Sequence, residues 1–211
     1  DGYVQPYCDS PLDDEYLGEN VYLNMINGAK RYVYITTPYL IVDSEMKTAL
    51  CLAAKRGVDV QIITPGIPDK KIVWDLTRSY YPELLSAGVH IYEYTPGFIH
   101  SKLCICDDEA AVTGTINFDY RSLYLHFENA CLFIYNAVVL QAKMTFCVRR
   151  KNPRRSSLKI WGISKSIEVC SAVSITQSCG YLHRFCKKKS LGTLKQKMSI
   201  FICEAIFSST D

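Results

Sequence analysis

Two periodic patterns of apolar and polar residues follow one another along this chain, up to about residue 147. Short runs rich in β-branched and aromatic residues are typical of strands, and longer runs with apolar residues three and four positions apart are typical of helices. The predicted strands are 31–37, 58–64, 90–94, 102–106, 110–114 and 128–135. The predicted helices are 18–30, 43–56, 70–88 (interrupted around Pro82) and 137–147. This alternation predicts an α/β fold, in which helices cover both faces of a mixed β-sheet.

Length and composition exclude some classes of protein. A chain of 211 residues can bury one good-sized core with an appendage. No apolar run approaches the roughly 18–20 residues needed to span a bilayer, and no secretory signal opens the chain. Because the first residue is Asp rather than Met, we expect the chain to be a piece of a longer protein.

The ten cysteines raise the question of disulfides. Disulfide frameworks belong mainly to short secreted chains, and nothing in the sequence indicates secretion. Cys104 and Cys106 form a C-x-C pair, but no second pair stands at zinc-binding spacing. The cysteines are therefore predicted to be structural free thiols.

Charge divides the chain into two parts. Residues 147–211 carry thirteen Lys or Arg and three Asp or Glu, whereas residues 1–146 carry eleven Lys or Arg and eighteen Asp or Glu. This shift predicts a folded lobe at 1–146 and an irregular, basic, Cys-containing tail at 147–211. The preferred interpretation is a poorly ordered tail. The alternatives are translation in a shifted reading frame, or a basic arm that binds anionic lipid through 149–151 and 187–189.

The strongest chemical signal is the pattern H-x-K-x4-D-x6-G-T-x-N, formed by His100, Lys102, Asp107, Thr115 and Asn117. A neutral imidazole can attack phosphorus, while an ammonium and an amide hold the phosphate oxygens on which charge develops. Side chains alternate along a strand, so His100 and Lys102 are predicted to face the same way. Asp107 is an odd number of positions away from His100 and Lys102, so its side chain is predicted to face the opposite side. It is therefore predicted to anchor the strand or a neighbour.

A carboxylate is also needed to hold the imidazole in the reactive tautomer. Glu128, at the start of the next strand, is the candidate, although a surface or salt-bridging role fits it as well. His90 and His126 are expected to serve packing rather than chemistry, and His183 is given no role.

The segments HSKLCICDD (100–108) and GTINFDYRSLYLHFEN (114–129) resemble the second catalytic motif of the phospholipase D superfamily. Residues 3–15, 18–41, 57–71 and 79–102 narrow the resemblance to bacterial cardiolipin synthases, over about residues 1–146. The resemblance implies a mixed sheet flanked by helices and duplicated in two lobes, whose motifs meet at one active site without a metal or cofactor. One histidine there forms a phosphohistidine, and the other is the general acid and base.

Position by position, the resemblance gives His100 the acid–base role and places Lys102 and Asp107 in the catalytic set. Thr115 and Asn117 would contact the phosphate, and Glu128 would orient the histidine. The implied reaction moves a phosphatidyl group between two phosphatidylglycerol molecules with release of glycerol, at an anionic bacterial cell membrane. The chain is expected to lie there peripherally, on the cytoplasmic side.

The pattern occurs only once in this chain, so half of the expected catalytic pair is absent. The missing half is expected from an amino-terminal lobe or from a second copy in a homodimer. Two alternatives stay open: a phospholipase D-type phosphodiesterase or nuclease, and a non-catalytic half-site fragment. Nucleic acid is a less favoured partner, because the acidic lobe does not suit a groove that tracks phosphates.

Overall fold

The computed structural model describes residues 2–151 and 158–160, which form a mixed eight-stranded sheet with helices against both faces. The strands are β1 (Tyr3–Asp9), β2 (Tyr32–Thr36), β3 (Leu40–Ile41), β4 (Asp59–Pro65), β5 (His90–Tyr94), β6 (Leu103–Cys106), β7 (Ala110–Gly114), β8 (Phe118–Asp119), β9 (Glu128–Ile134) and β10 (Leu158–Ile160). The helices are α1 (Leu17–Gly28), α2 (Ser44–Lys55), α3 (Lys71–Ser79), α4 (Tyr81–Ser86), α5 (Tyr120–Tyr124) and α6 (Ala137–Lys151). The predicted α/β class is confirmed.

The order of strands across the sheet is β1-β9-β7-β6-β2-β4-β5-β10, and β3 pairs separately with β8. Strands β2, β4 and β5 are parallel, whereas β6, β7 and β9 are antiparallel neighbours. Leu103 therefore lies opposite Thr113, and Gly114 lies opposite Ala130. The start of β6, the end of β7 and the start of β9 meet at one end of the sheet, which we call the motif end.

Alternation along β2 explains how the sheet is covered on both sides. Val33 and Ile35 are fully buried in the core that includes residues of α1 and α2. Tyr34 points to the other face, where its ring stacks on Phe146 of α6 with the ring centroids 4.8 Å apart. Burial of each such aliphatic side chain contributes about 1.5–3 kcal/mol, so both layers stabilise the central strands.

Local signals set the ends of the predicted helices. The Asp43 carboxylate accepts a hydrogen bond from the Met46 N–H at 2.8 Å, so Asp43 caps α2. Gly57 follows this helix with a φ of +90°, a conformation that glycine adopts without strain. The predicted interruption of the 70–88 helix is confirmed, because α3 and α4 meet around Tyr80 and Pro82 lies in the first turn of α4.

The edge strand β1 was not predicted from the pattern. Residues 3–6 are all exposed, so this strand shows no alternation of buried and exposed positions along its first half. Pro6 also weakens the signal, since proline has no N–H to donate and is tolerated mainly in edge strands. The pairing with β9 in full register places this segment in the sheet.

The predicted boundary at residue 147 falls inside α6, which continues to Lys151, and β10 adds an antiparallel strand beside β5. The other predictions for the tail lie outside the described residues. The six cysteines within the described part are free thiols: Cys8, Cys51, Cys104, Cys106, Cys131 and Cys147. No helix there is long and apolar enough to span a membrane.

Candidate active site

The motif end of the sheet brings together most of the residues singled out in the sequence. His100 and Lys102 immediately precede β6, Thr115 and Asn117 follow β7, and Glu128 opens β9. Because these three strands are consecutive neighbours, residues distant in sequence approach one another there. The antiparallel register, rather than any local motif, thus assembles the site.

His100 and Lys102 form the closest pair in this site. The Lys102 Nζ lies 3.0 Å from both ring nitrogens of His100 and 3.0 Å from its backbone oxygen. Loss of hydration at the ring and the nearby ammonium lower the pKa of His100, against an opposing effect of Asp69. An exposed imidazole that is neutral near pH 7 is available as a nucleophile or as a base.

Lys102 is unusual because it is 9% exposed and still faces the site. Burial lowers the pKa of its ammonium, while the carboxylates of Glu128 and Asp119 act in the opposite direction. A cation held this close to the imidazole, in a poorly hydrated position, binds phosphate oxygens more strongly than a solvated lysine does.

Thr115 and Glu128 are joined directly. The Thr115 hydroxyl donates to the Glu128 carboxylate, and its oxygen accepts the Asn129 N–H at 3.0 Å. Glu128 is 8% exposed, and within the described residues it makes no hydrogen bond to His100. In this lobe Glu128 therefore holds the turn after β7 and the residues before β9.

Asn117 has one satisfied and one unsatisfied side-chain atom. Its amide donates to the Ser122 hydroxyl at 2.9 Å, while its buried Oδ1 has no hydrogen-bond partner. Ser122 also donates its backbone N–H to Asp119 at 2.8 Å, which caps α5. Asn117 is thus fixed against α5, with its polar carbonyl group still unpaired.

Asp119 is a residue that sequence reasoning missed. It is 3% exposed, and burial raises the pKa of its carboxyl to about 6, against the lowering effect of the Ser122 N–H. The only sequence signal is its position as a helix-capping residue before YRSLY. Its proximity to Lys102 follows from tertiary packing, which that signal does not contain.

Asp107 stands at the opposite end of β6 from His100. Its carboxylate accepts the backbone N–H groups of Lys30, Arg31 and Tyr32 at 2.6, 2.9 and 2.8 Å. Burial raises the pKa of Asp107, but these three hydrogen bonds outweigh it and leave the pKa lowered. Asp107 thus ties the end of β6 to the start of β2, the neighbouring strand, which agrees with the expected anchoring role.

His126, expected to serve packing, lies against Glu128 instead. Its side chain is 41% exposed, and its Nδ1 lies 3.7 Å from the Glu128 Oε1. The Arg121 Nε donates to the His126 Nε2 at 2.6 Å. His126 and Glu128 are two positions apart in the sequence, and this spacing is a signal for such a contact. Alternation along a strand does not specify it.

Within the described residues, one group of side chains is placed closely enough to hold a metal ion, Glu19 with Asp43 and Glu45. None of the residues of the motif end belongs to it. The predicted phosphate-binding residues Lys102, Thr115 and Asn117 all lie at the motif end, where the Thr115 hydroxyl donates to Glu128 and the Asn117 amide donates to Ser122.

Comparison with known proteins agrees with this geometry. A family described as "Cardiolipin synthase, PLD-like domain" matches residues 22–147. The chain belongs to this family. A cardiolipin synthase of Halalkalibacterium halodurans is 48% identical over 134 residues, which are 63% of this chain and 27% of that protein. An uncharacterized protein of Streptococcus mutans is 58% identical over 154 residues, which are 73% of this chain and 33% of that protein.

The fold of this cardiolipin synthase-like domain also matches a solved structure. Nuc from Salmonella typhimurium, a phospholipase D family member, superposes with a TM-score of 0.60 at 20% identity and covers 76% of this chain and 99% of that chain. The phospholipase D-like fold is thereby confirmed. The chain spans about a quarter to a third of the length of the curated relatives it matches.

Proposed function

We propose that this lobe catalyses phosphatidyl transfer between two phosphatidylglycerol molecules, which makes cardiolipin and releases glycerol. The observation that carries the proposal is the pairing of an exposed imidazole with a buried ammonium, His100 with Lys102, at the motif end of a cardiolipin synthase-like domain. Membership of this family supports a lipid phosphodiester as the substrate.

The chemistry requires two imidazoles at one phosphorus. In the first step one histidine nitrogen bonds to phosphorus, the bond to the glycerol oxygen breaks, and the second histidine gives that oxygen a proton. In the second step the now neutral second histidine takes a proton from the hydroxyl of another phosphatidylglycerol. That oxygen attacks phosphorus and the first histidine leaves, which restores both residues.

We assign the acid–base role to His100, by its position in the second motif. The first step needs its protonated form; the pKa of the ring is lowered in this lobe, and the negative charge of a bound phosphodiester acts in the opposite direction.

Lys102 would hold the non-bridging phosphate oxygens, where negative charge develops. Asn117 would join it by giving up its hydrogen bond to Ser122, and the Thr115 hydroxyl, which donates to Glu128, would fix the turn beside them. The unpaired Oδ1 of Asn117 can accept from a hydroxyl group of the lipid headgroup. The nucleophilic histidine is proposed to come from a second lobe, either in a second copy of this chain or in the longer protein.

The test is release of glycerol and formation of cardiolipin by the purified chain on vesicles of phosphatidylglycerol, with His100→Ala as the control. Turnover that disappears in the variant supports the proposal. Absence of turnover in the unaltered chain overturns it for this chain, and would favour the half-site alternative. Cleavage of single-stranded DNA by the chain, without glycerol release, would favour the nuclease alternative instead.

A further inference from the structure

A run of polar side chains in contact with one another crosses the motif end beside the predicted catalytic residues. It begins at Arg121 on α5, passes through His126 and Glu128, and ends at the Thr115 hydroxyl. Three of these residues lie between the end of β8 and the start of β9, so the run closes this segment back on the turn after β7. The proposed function gives no role to His126.

The contacts of His126 determine which nitrogen carries its proton. The Arg121 Nε–H donates to Nε2, so Nε2 must carry a lone pair. The proton of the neutral ring is then on Nδ1, which faces the Glu128 Oε1 at 3.7 Å. The ring therefore presents an N–H to the carboxylate, and its other nitrogen is occupied by the guanidinium.

Resting on the proposed function, we propose that His126 is a positioning residue for phosphatidyl transfer: its ring restrains the Glu128 carboxylate, which accepts from Thr115 in the turn after β7. Glu128 has two oxygens to direct, and Thr115 occupies one of them. His126 faces the other, so both oxygens have a neighbour that fixes the rotation of the carboxylate. Without this restraint the carboxylate can turn toward water, which loosens the turn and moves a negative charge that favours the charged form of Lys102.

The charged groups that face His126 are Arg121 from α5 and Glu128 from β9. Burial and Arg121 lower the pKa of His126, and Glu128 acts in the opposite direction. A protonated ring has no lone pair on Nε2, so it loses the Arg121 hydrogen bond and gains a repulsive cation beside it. The Nδ1–H still faces Glu128 and now carries a positive charge, so the hold on the carboxylate is expected to strengthen below the pKa of His126.

Two variants separate the two contacts of the ring. The amide N–H of His126→Asn occupies the place of Nδ1 and can face Glu128, whereas the carbonyl of His126→Gln occupies the place of Nε2 and can accept from Arg121. We expect His126→Phe to lower kcat/KM for transfer by about tenfold, because it removes the polar contacts of the ring with Arg121 and Glu128. His126→Asn should restore most of it and His126→Gln should not.

The pH profile distinguishes positioning from a general structural effect. Asn does not titrate, so the ratio of wild-type to His126→Asn activity should rise as the pH is lowered through the pKa of His126, because the charged ring attracts Glu128 more strongly. Equal losses in the Asn and Phe variants at every pH would overturn the proposal, as would no loss in either.

A measurement that does not require catalytic turnover tests this inference separately from the proposed function. The pKa and tautomer of His126 are followed by nuclear magnetic resonance of the imidazole nitrogens. Glu128→Gln should lower the pKa, Arg121→Gln should raise it, and the exposed Glu109→Gln should leave it unchanged. If these shifts occur in a chain without transfer activity, the proposed function fails while the contact stands. A proton on Nε2, or no response to Glu128→Gln, would overturn the positioning role.

Discussion

The two ends of β6 carry opposite arrangements of polar groups. At one end, the Asp107 carboxylate accepts three backbone N–H groups, and its pKa is lowered. At the other end, the Lys102 ammonium is buried beside an exposed imidazole, and Asn117 keeps a buried oxygen unpaired. One short sequence pattern supplies both ends.

The difference shows that a conspicuous motif can combine two kinds of residue. A fully satisfied carboxylate contributes to stability, since its hydrogen bonds exist in the folded chain alone. A buried cation and an unpaired polar atom cost stability, and they are tolerated where a ligand supplies the missing partner. Changes at the two ends should therefore separate loss of activity from loss of folding.

The largest expected effect is at the motif end. His100→Ala should lower transfer by about 10³-fold or more, because it removes a reacting group. The free energy of unfolding should change by less than about 0.5 kcal/mol, because the side chain is exposed. Glycerol release and urea unfolding measure the two quantities. A large loss of stability in this variant would contradict the comparison.

Mixing the same variant with the unaltered chain sharpens this prediction. If two copies share one site, co-refolding equal amounts leaves about a quarter of the activity, because only pairs of unaltered chains have both histidines. Copies that act alone would retain about half. The measurement is glycerol release from samples refolded at several ratios.

Asp107→Asn should produce the reverse pattern. The amide group cannot accept all three backbone N–H groups, so the free energy of unfolding should fall by about 3 kcal/mol. Activity per folded molecule should be retained. Urea unfolding beside the exposed control Glu109→Gln measures the loss. A stable Asp107→Asn variant that is inactive would move Asp107 into the catalytic machinery.

At the motif end, the contribution of Asp119 to the free energy of unfolding is expected to depend on pH. Its pKa is raised to about 6 in the fold, so the folded chain keeps its proton while the unfolded chain releases it from about pH 4 upward. Its contribution to stability is therefore complete at low pH and declines by about 3 kcal/mol as the pH rises to 7. Relative to Asp119→Asn, the unaltered chain should lose stability over this range. Parallel curves in urea unfolding would contradict the raised pKa.

The smallest effect is expected at Thr115. Thr115→Val removes the hydrogen bonds to Glu128 and Asn129, which should cost about 1 kcal/mol of unfolding free energy. Thr115→Ser keeps the hydroxyl and is the matched control. Equal stability of the Val and Ser variants, measured by thermal unfolding, would show that the hydroxyl does not hold this turn.

Much of the fold could be predicted because the apolar residues of its central strands and helices recur with a clear period within each element. Strand β7 begins and ends where the pattern places it, and the helix after Asp43 starts at its cap. Asp107 is an anchor as expected, but alternation along a strand is not the reason: it follows β6 with a φ of +56°, and this turn directs its carboxylate to the start of β2. Strands β3 and β8 escaped prediction because two residues are too short for any period.

The candidate site was predicted only as far as local spacing allows. His100 and Lys102 are two residues apart and meet as expected. The contacts of Glu128 with Thr115 and His126, and the burial of Asp119 near Lys102, depend on which strands become neighbours. That order is decided by non-local packing, which a periodic pattern does not encode.

The pairing of β1 with β9 has a consequence for how the chain folds during synthesis. Asp9 pairs opposite Glu128, and it also accepts the Gly18 N–H at 2.7 Å at the start of α1. At typical translation rates the ribosome needs roughly 6–24 s to add the intervening residues. During this interval the first strand has no partner, while α1 can already form against Asp9. Closing the sheet is therefore a late event of high contact order, and the first strand is the segment most exposed to chaperones and proteases until then.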